Sequence, residues 1–502
     1  MHRLPGGHGR LQRHERGLRA VLPLGSAGSH RHRGPGTPGE RRRGNHLRGG
    51  GPVTEGDGGK EGQERGLDRR DFLKRSGLGA GALALAGGVG GLVTGCASAG
   101  EGGATGETAA APWVGSGGAG REVVVVGAGI FGVWTALRLQ EAGARVTLVD
   151  LYGPGNSRST SGDETRGIRT SYPGRELWTS WAHRAIRRWH AFDDEWAGTM
   201  GGRVFFETGD LILRREGDPF IRGVREIWDQ TGVPYEVLGM DEVRRRWPQI
   251  DPEGMEEALF EPGAGVARSR AACQRVAQVF LRKGGALRTA AATPGAVRGG
   301  RMTEVTLDGG ADRLGADLFV FALGPWFPKA FPELMGERIR IPMGHVYYLG
   351  TPPGDPRFAH PHLPSWNIPG VTGWASLPPD HRGFRIRTGG RAGEDPDTSV
   401  RWIPEEFLEQ PRRILEAHFP ALANQPIVET RACHYESSST RDWIIDRHPE
   451  WENVWLAGGG SAEGFKFGPV LGDLIAGRVL EEDLYPDLAD HFRLDPPEEL
   501  GQ

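Results

Sequence analysis

The sequence predicts an α/β fold: a Rossmann-like dinucleotide-binding domain with a second, α+β domain built on an antiparallel sheet. Two stretches carry the prediction, Arg121 to Asp150 and Thr430 to Gly472, with strand-like alternating runs between them. In the first stretch, Val123 to Val126 is an apolar β-branched run that reads as a buried parallel strand. Gly127, Gly129 and Gly132 follow in G-x-G-x-x-G spacing around Ile130 and Phe131, and Val133, Ala136, Leu137 and Leu139 then recur at helical intervals. Arg145 to Val149 is a second strand, ending in Asp150. The glycines serve a tight turn, the approach of backbone to a pyrophosphate, and close helix–strand packing. The helix start offers free amides to phosphate, and Asp150 stands where a carboxylate accepts from a ribose. The alternative is a Gly-rich βα turn with no ligand, but the flanking strands and terminal acid are the context the motif requires. This is a dinucleotide site that does not by itself separate NAD from FAD.

At 502 residues the chain has room for two domains and extensions. Its hydrophobic content is 37%, and its 81 glycines are densest before Arg121. A formal net charge of −3, with no broad basic face after Arg121, points away from a nucleic-acid partner. Cys96, Cys273 and Cys433 alone give neither a disulfide framework nor a paired metal-ligand spacing, so no metal is expected. Residues 1–64 are Gly-, Arg- and His-rich without apolar periodicity and read as disordered. They also suit an over-extended reading frame whose start lies near Val53. Asp68-Arg69-Arg70-Asp71-Phe72-Leu73-Lys74 looks like a twin-arginine export signal, and the Gly/Ala-rich segment after it is too poor in apolar residues for a permanent span. Val93-Thr94-Gly95-Cys96 resembles a bacterial lipobox, which would place the protein in the cell envelope, lipid-anchored at Cys96. The other reading of Cys96 is an incidental thiol near an ordinary cleavage site. Residues 97–120 then read as a flexible tether.

After Asp150 comes a polar loop, NSRSTSGDETRGIR, followed by a helix from Glu176 to Trp196 whose Trp178, Trp181, Ala185 and Trp189 form a core-facing stripe. In the loop, Thr165 precedes Arg166 and Arg169, which are surface arginines or, if they fold over a bound ring system, demand anionic partners. The G-x-G-x-x-G unit, the strand end Leu148-Val149-Asp150 and the run into Thr165-Arg166-Gly167-Ile168-Arg169 resemble the FAD-dependent amine oxidases of the monomeric sarcosine oxidase and N-methyltryptophan oxidase group. That group lies within the D-amino-acid oxidase superfamily.

Further on, Arg203 to Arg214 alternates as strand around a glycine, Asp241 is placed to cap a short helix, and Ala272 to Lys283 reads as an amphipathic helix with Cys273 packed on it. Asp317 to Phe321 is an apolar strand ending in Ala322-Leu323-Gly324-Pro325-Trp326, and the resemblance places such a strand beside FAD. Ile339 to Gly350 and Gly383 to Thr388 read as strands of the antiparallel domain.

In the last stretch Val454 to Ala457 is a buried strand, and Gly458, Gly459, Gly460 and Gly464 let backbone approach a flat ligand before a helix begins near Gly468. A nucleotide unit at one end and a Gly-rich return at the other favour FAD over NAD, hence a glutathione-reductase-type domain. Cys433-x-Tyr435, Trp443-Ile444-Ile445-Asp446 before His448-Pro449, and Gly464-Phe465-Lys466-Phe467 resemble the end of the sarcosine oxidase group. The resemblance implies a thioether from Cys433 to the flavin 8α-methyl; a buried core thiol with noncovalent FAD is the alternative. It also implies that Lys466 and Arg169 clamp the substrate carboxylate, with Tyr435 beside it and Arg166 nearer the flavin. Two positions depart from the group. Arg385 replaces a lysine thought to activate dioxygen, and Glu463 replaces a histidine, where it pairs with Lys466 or receives a second cationic group of the substrate.

The expectation is a monomeric FAD enzyme oxidising a C–N bond of a secondary amine or amino acid, of N-methyl or D-amino acid type, to an imine that hydrolyses, with electrons passing to O2. The alternatives are an envelope dehydrogenase that passes them to a quinone, another membrane acceptor or a redox protein, and a flavin-binding lipoprotein without turnover. The FAD-binding domain is expected at 121–205, 260–338 and 429–485, the substrate domain at 206–259 and 339–428, and a tail at 486–502. The front end divides into 1–64, 65–96 and 97–120.

Overall fold

The computed structural model describes residues 115–393, 395–482 and 484–494. The export signal, Cys96 and most of the tether lie outside the described residues.

The chain begins with strand β1 (Glu122–Val126), helix α1 (Ile130–Glu141), β2 (Arg145–Asp150), β3 (Arg166–Ile168) and helix α2 (Glu176–Trp196). It continues through β4 (Phe205–Phe206), β5 (Asp210–Arg214), α3 (Pro219–Thr231), β6 (Glu236–Leu238) and α4 (Met240–Arg246). Then come β7 (Glu257–Glu261), β8 (Gly265–Ala267), α5 (Ser269–Arg282), β9 (Ala286–Thr289) and β10 (Leu318–Phe321). The later strands are β11 (Met343–Leu349), β12 (Ser365–Ile368), β13 (Val371–Trp374), β14 (Phe384–Arg391) and β15 (Ile427–His434). β16 (Ile444–Arg447), β17 (Val454–Gly458) and helix α6 (Gly468–Val479) complete it.

Six strands form one sheet in the order β16-β17-β10-β1-β2-β9, parallel except for β16. β1 lies at its centre and is buried on both faces. Val123 and Val125 pack under α1, α2 and α6, while Val124 and Val126 join Phe319 and Phe321 on the opposite side. The tryptophan stripe of α2 is buried in that first layer.

Eight strands form the other large sheet, β15-β11-β14-β13-β12-β5-β7-β6. It is antiparallel except where β12 runs parallel to β5. The boundaries expected at 259/260 and 428/429 fall inside β7 and β15, both members of this sheet. A small sheet, β3-β8-β4, carries the Arg166–Ile168 segment.

One local expectation is corrected. Asp241 does not cap α4: Gly239 occupies the cap position, and Asp241 sits in the first turn, 3.2 Å from Arg244. Its charge still lies where the helix dipole favours an anion.

Candidate active site

The turn between β1 and α1 is set by backbone contact. Gly127 has φ +103°, and a Cβ there would lie 2.2 Å from the carbonyl oxygen of Ala322 at the end of β10. At Gly132 a Cβ would lie 1.8 Å from the Gly127 oxygen, so α1 rests directly on the turn. At Gly129 it would meet only Ser161 Oγ, at 3.5 Å. The first amides of a helix have no carbonyl one turn back. The Ile130 amide donates to Ser161 Oγ at 3.1 Å, which leaves those of Phe131 and Gly132 for an anion. Asp150 accepts from the amides of Ala128, Tyr152 and Gly153, each at 2.8 Å. Burial holds its carboxyl above the usual pKa, while those amides pull it down.

A cavity of about 410 Å³ extends from this turn. Gly127, Gly129, Ile130, Phe131 and Asp150 line one end, and Arg166, Gly324, Trp326, Gly464 and Phe465 line the rest. Gly132 sits behind the turn. Thr165 lies outside the lining because its hydroxyl accepts from the Trp374 indole at 2.9 Å, and Gly459 because it turns the chain after β17 at φ +72°. Two buried polar atoms of the lining, Thr160 Oγ1 and Glu436 Oε2, have no hydrogen-bond partner among the described residues. A long cavity with a glycine cradle at one end and orphaned polar groups along its length fits a dinucleotide bearing a flat polar ring.

A second cavity of about 100 Å³ adjoins the first, and Thr160, Arg166, Ala462 and Phe465 line both. Here the structure gathers Arg169, Arg385, Cys433, Tyr435, Glu463 and Lys466, which come from four separate stretches of the chain. Thr165, Arg166 and Arg169 arrive on and around β3, Arg385 on β14, and Cys433 with Tyr435 at the end of β15. Glu463 and Lys466 sit in the turn before α6.

The charges are largely paired. Asp163 binds Arg166 Nη1 at 2.6 Å and Arg385 Nη2 at 3.0 Å. Burial alone would raise its pKa, but these guanidiniums hold it well below the carboxylate range. Arg385 is 1% exposed, and its guanidinium lies 4.0 Å from the centre of the Trp374 ring. Arg166 Nη2 lies 3.5 Å from Cys433 Sγ and also donates to the Thr160 carbonyl.

Lys466 is bound to Glu463 Oε2, which also accepts from Tyr172 OH at 2.9 Å. Against the cost of burial, Lys466 and Arg169 hold the Glu463 pKa down at about 2. Arg169 has Ser171 Oγ at 3.1 Å and no ion-pair contact among the described residues. Thus Glu463 does pair with Lys466, and Arg169 is left as a guanidinium open to a ligand.

Sequence reasoning missed Asp163, Tyr172, Arg387 and Glu436. Asp163 carried a signal, an i, i+3 spacing to Arg166, and Arg387 stands two residues from Arg385 and therefore on the same strand face. Nothing local marked Tyr172 or Glu436.

A family model described as FAD dependent oxidoreductase matches residues 122–478. The chain is similar to monomeric sarcosine oxidase of Bacillus sp. (strain NS-129), 28% identical over 367 residues, covering 71% of this chain and 92% of that one. It is 25% identical to N-methyl-L-tryptophan oxidase of Yersinia pestis (strain Pestoides F), covering 71% and 94%. Among solved structures, L-proline dehydrogenase from P. horikoshii superposes with a TM-score of 0.63 at 21% identity, over 75% of this chain and 100% of that one. Iminodiacetate oxidase from Chelativorans sp. BNC1 does so with a TM-score of 0.62 at 22% identity, over 74% and 100%. At those identities the two structures share the fold.

Proposed function

The chain belongs to the FAD dependent oxidoreductase family, and from that premise we propose that it oxidises a C–N bond of a small secondary amine or amino acid bearing a carboxylate. The imine so formed hydrolyses in water, and dioxygen takes the electrons as hydrogen peroxide. The observation that carries this reading is the junction of the two cavities, where Arg166 and Phe465 wall both the dinucleotide cradle and the cation-lined pocket. The sarcosine and N-methyltryptophan oxidases, similar over most of their length, support the C–N bond as the target.

Gly127, Gly129 and the start of α1 would hold the pyrophosphate of FAD, Asp150 its ribose, and the Gly464–Phe465 turn its ring. Bound there, FAD supplies the two-electron acceptor for the carbon next to nitrogen. Cys433 is the residue for a thioether to it; yellow colour retained in an acid-precipitated pellet supports that bond, and a colourless pellet refutes it.

The remaining work belongs to side chains. Arg169 receives the substrate carboxylate through its planar fork. Glu463 stays ionised, and the bonds it makes fall on Oε2, so Oε1 serves the substrate nitrogen. An amine bound unprotonated donates its N–H to that oxygen and needs only to be oriented, so no general base is assigned.

A second reading, a dehydrogenase passing electrons to a quinone or redox protein, is favoured by one observation. Arg385, at the position of the group's oxygen-activating lysine, is buried and paired with Asp163, which it shares with Arg166. Export by the twin-arginine route and an anchor at Cys96 belong to the same proposal and rest on sequence alone, as does action as a monomer. Anaerobic mixing with a panel of N-methyl, N-carboxyalkyl and D-amino acids should bleach the flavin. Peroxide formation on readmitting air supports the oxidase, and dye reduction without peroxide the dehydrogenase. Flavin that no amine bleaches contradicts both.

A further inference from the structure

The second cavity contains more positive charge than one carboxylate requires. Five cationic side chains line it against two carboxylates, Asp163 and Glu463. Arg166 and Arg385 share Asp163, and Lys466 is held by Glu463. Two guanidiniums remain, Arg169 and Arg387, and neither makes an ion-pair contact among the described residues.

Arg387 is placed by strand geometry. It lies on β14 opposite Val346 of β11 and Thr372 of β13, on the same face as Arg385, with Ile386 turned to the core on the other. Its guanidinium lies 5.6 Å from the centre of the Tyr435 ring, and a Cβ at Gly344 would come within 3.2 Å of its Nη2. Burial and the nearby Arg385 depress its pKa, yet a guanidinium does not shed its proton in this range. A half-buried cation so placed, beside another guanidinium, is costly unless an anion meets it.

That anion is not the dinucleotide, because Arg387 and Arg169 line the second cavity and not the first. Nor does the protein supply it: Glu463 is the carboxylate whose charge acts on Arg387, but it is already bound to Lys466 and Tyr172.

We propose that Arg387 is a second carboxylate-binding residue, so that the preferred substrate is an amine carrying two carboxylates, one received by Arg169 and the other by Arg387. The proposal deepens the C–N oxidation reading and rests on it. A cavity of about 100 Å³ limits such a substrate to a small molecule, with a few carbons between nitrogen and each carboxylate. A planar fork meeting a planar carboxylate supplies two parallel hydrogen bonds, which distinguishes this site from a lysine acting as a point charge.

The test uses the flavin-loaded protein and two sulfur analogues that lack the oxidisable nitrogen, thiodiacetate and (methylthio)acetate. Binding is read from the perturbed visible spectrum, at fixed pH and ionic strength. One extra charge-assisted contact in a buried site predicts that thiodiacetate binds about tenfold tighter or better. Arg387→Leu should collapse that preference to within about twofold, and Arg387→Lys should leave an intermediate ratio. If the leucine variant does not fold, the lysine variant still reads the ratio. Equal or weaker binding of thiodiacetate, a preference unchanged in both variants, or no binding of either analogue overturns the proposal. Amines that bleach the flavin while the analogues show no preference remove Arg387 alone; a flavin that no amine bleaches removes the parent reading.

Discussion

The two cavities of this protein are built by different means. The larger one is shaped by backbone: at Gly127 and Gly132 any side chain would strike a carbonyl oxygen within 2.2 Å. The smaller one is shaped by charge, with carboxylates and cations brought in on and around β3, on β14 and in the turn before α6. A backbone cradle leaves little freedom of sequence, so it keeps its form. A charged pocket keeps its walls while individual residues change, and the chemistry it selects changes with them.

The contrast breaks most visibly if the cradle tolerates a side chain. Gly132→Ala should abolish flavin retention, leaving under about a tenth of the wild-type flavin per protein, because the contact of α1 with the Gly127 carbonyl admits no Cβ. Flavin absorbance against protein absorbance measures this, and unchanged content would remove the geometric account of the cradle.

A smaller effect sharpens the other side. Glu463→Gln releases Lys466 from its carboxylate partner. Affinity for (methylthio)acetate should rise about tenfold, as one cation becomes available to the ligand. Weaker binding would mean that Glu463 organises the pocket rather than neutralising it.

The smallest effect lies beneath the pocket. Glu261, opposite Asp210 across β7 and β5, accepts from the Thr170 amide at 3.1 Å and hydroxyl at 2.8 Å. Burial pushes its pKa up from 4.5 to about 8, with the Thr170 bonds opposing. A carboxyl raised on folding contributes stability that is full below its unfolded pKa and is lost as pH rises through its folded pKa. Melting temperature should therefore fall between about pH 5 and pH 8, and Glu261→Gln should flatten that decline by a few degrees. An equally steep decline in the variant would assign the pH dependence to other groups.

How much of this was legible in the sequence follows the same division. The βαβ unit was readable to within a residue because glycine spacing and apolar period report backbone geometry directly. Helix α2 was readable because its tryptophan stripe keeps one face over its full length. Asp241 was misplaced because a glycine two residues earlier serves as the cap. Resemblance to a family, not spacing, brought Cys433, Arg169 and Lys466 to one pocket, since nothing local in Arg166 to Arg169 or Gly464 to Phe467 indicates a partner far along the chain. Arg387 escaped notice although strand alternation set it beside Arg385. A charge reads as significant only when its neighbours across the sheet are known, and those come from β11 and β13.

The central claim is that the charged pocket and the dinucleotide cradle form one site. Titrating the flavin-loaded protein with (methylthio)acetate tests it most directly. The predicted result is a saturable shift of the visible flavin bands, whose dissociation constant rises about tenfold or more in Arg169→Leu. Calorimetric binding of the same ligand with no change in the flavin spectrum would contradict it.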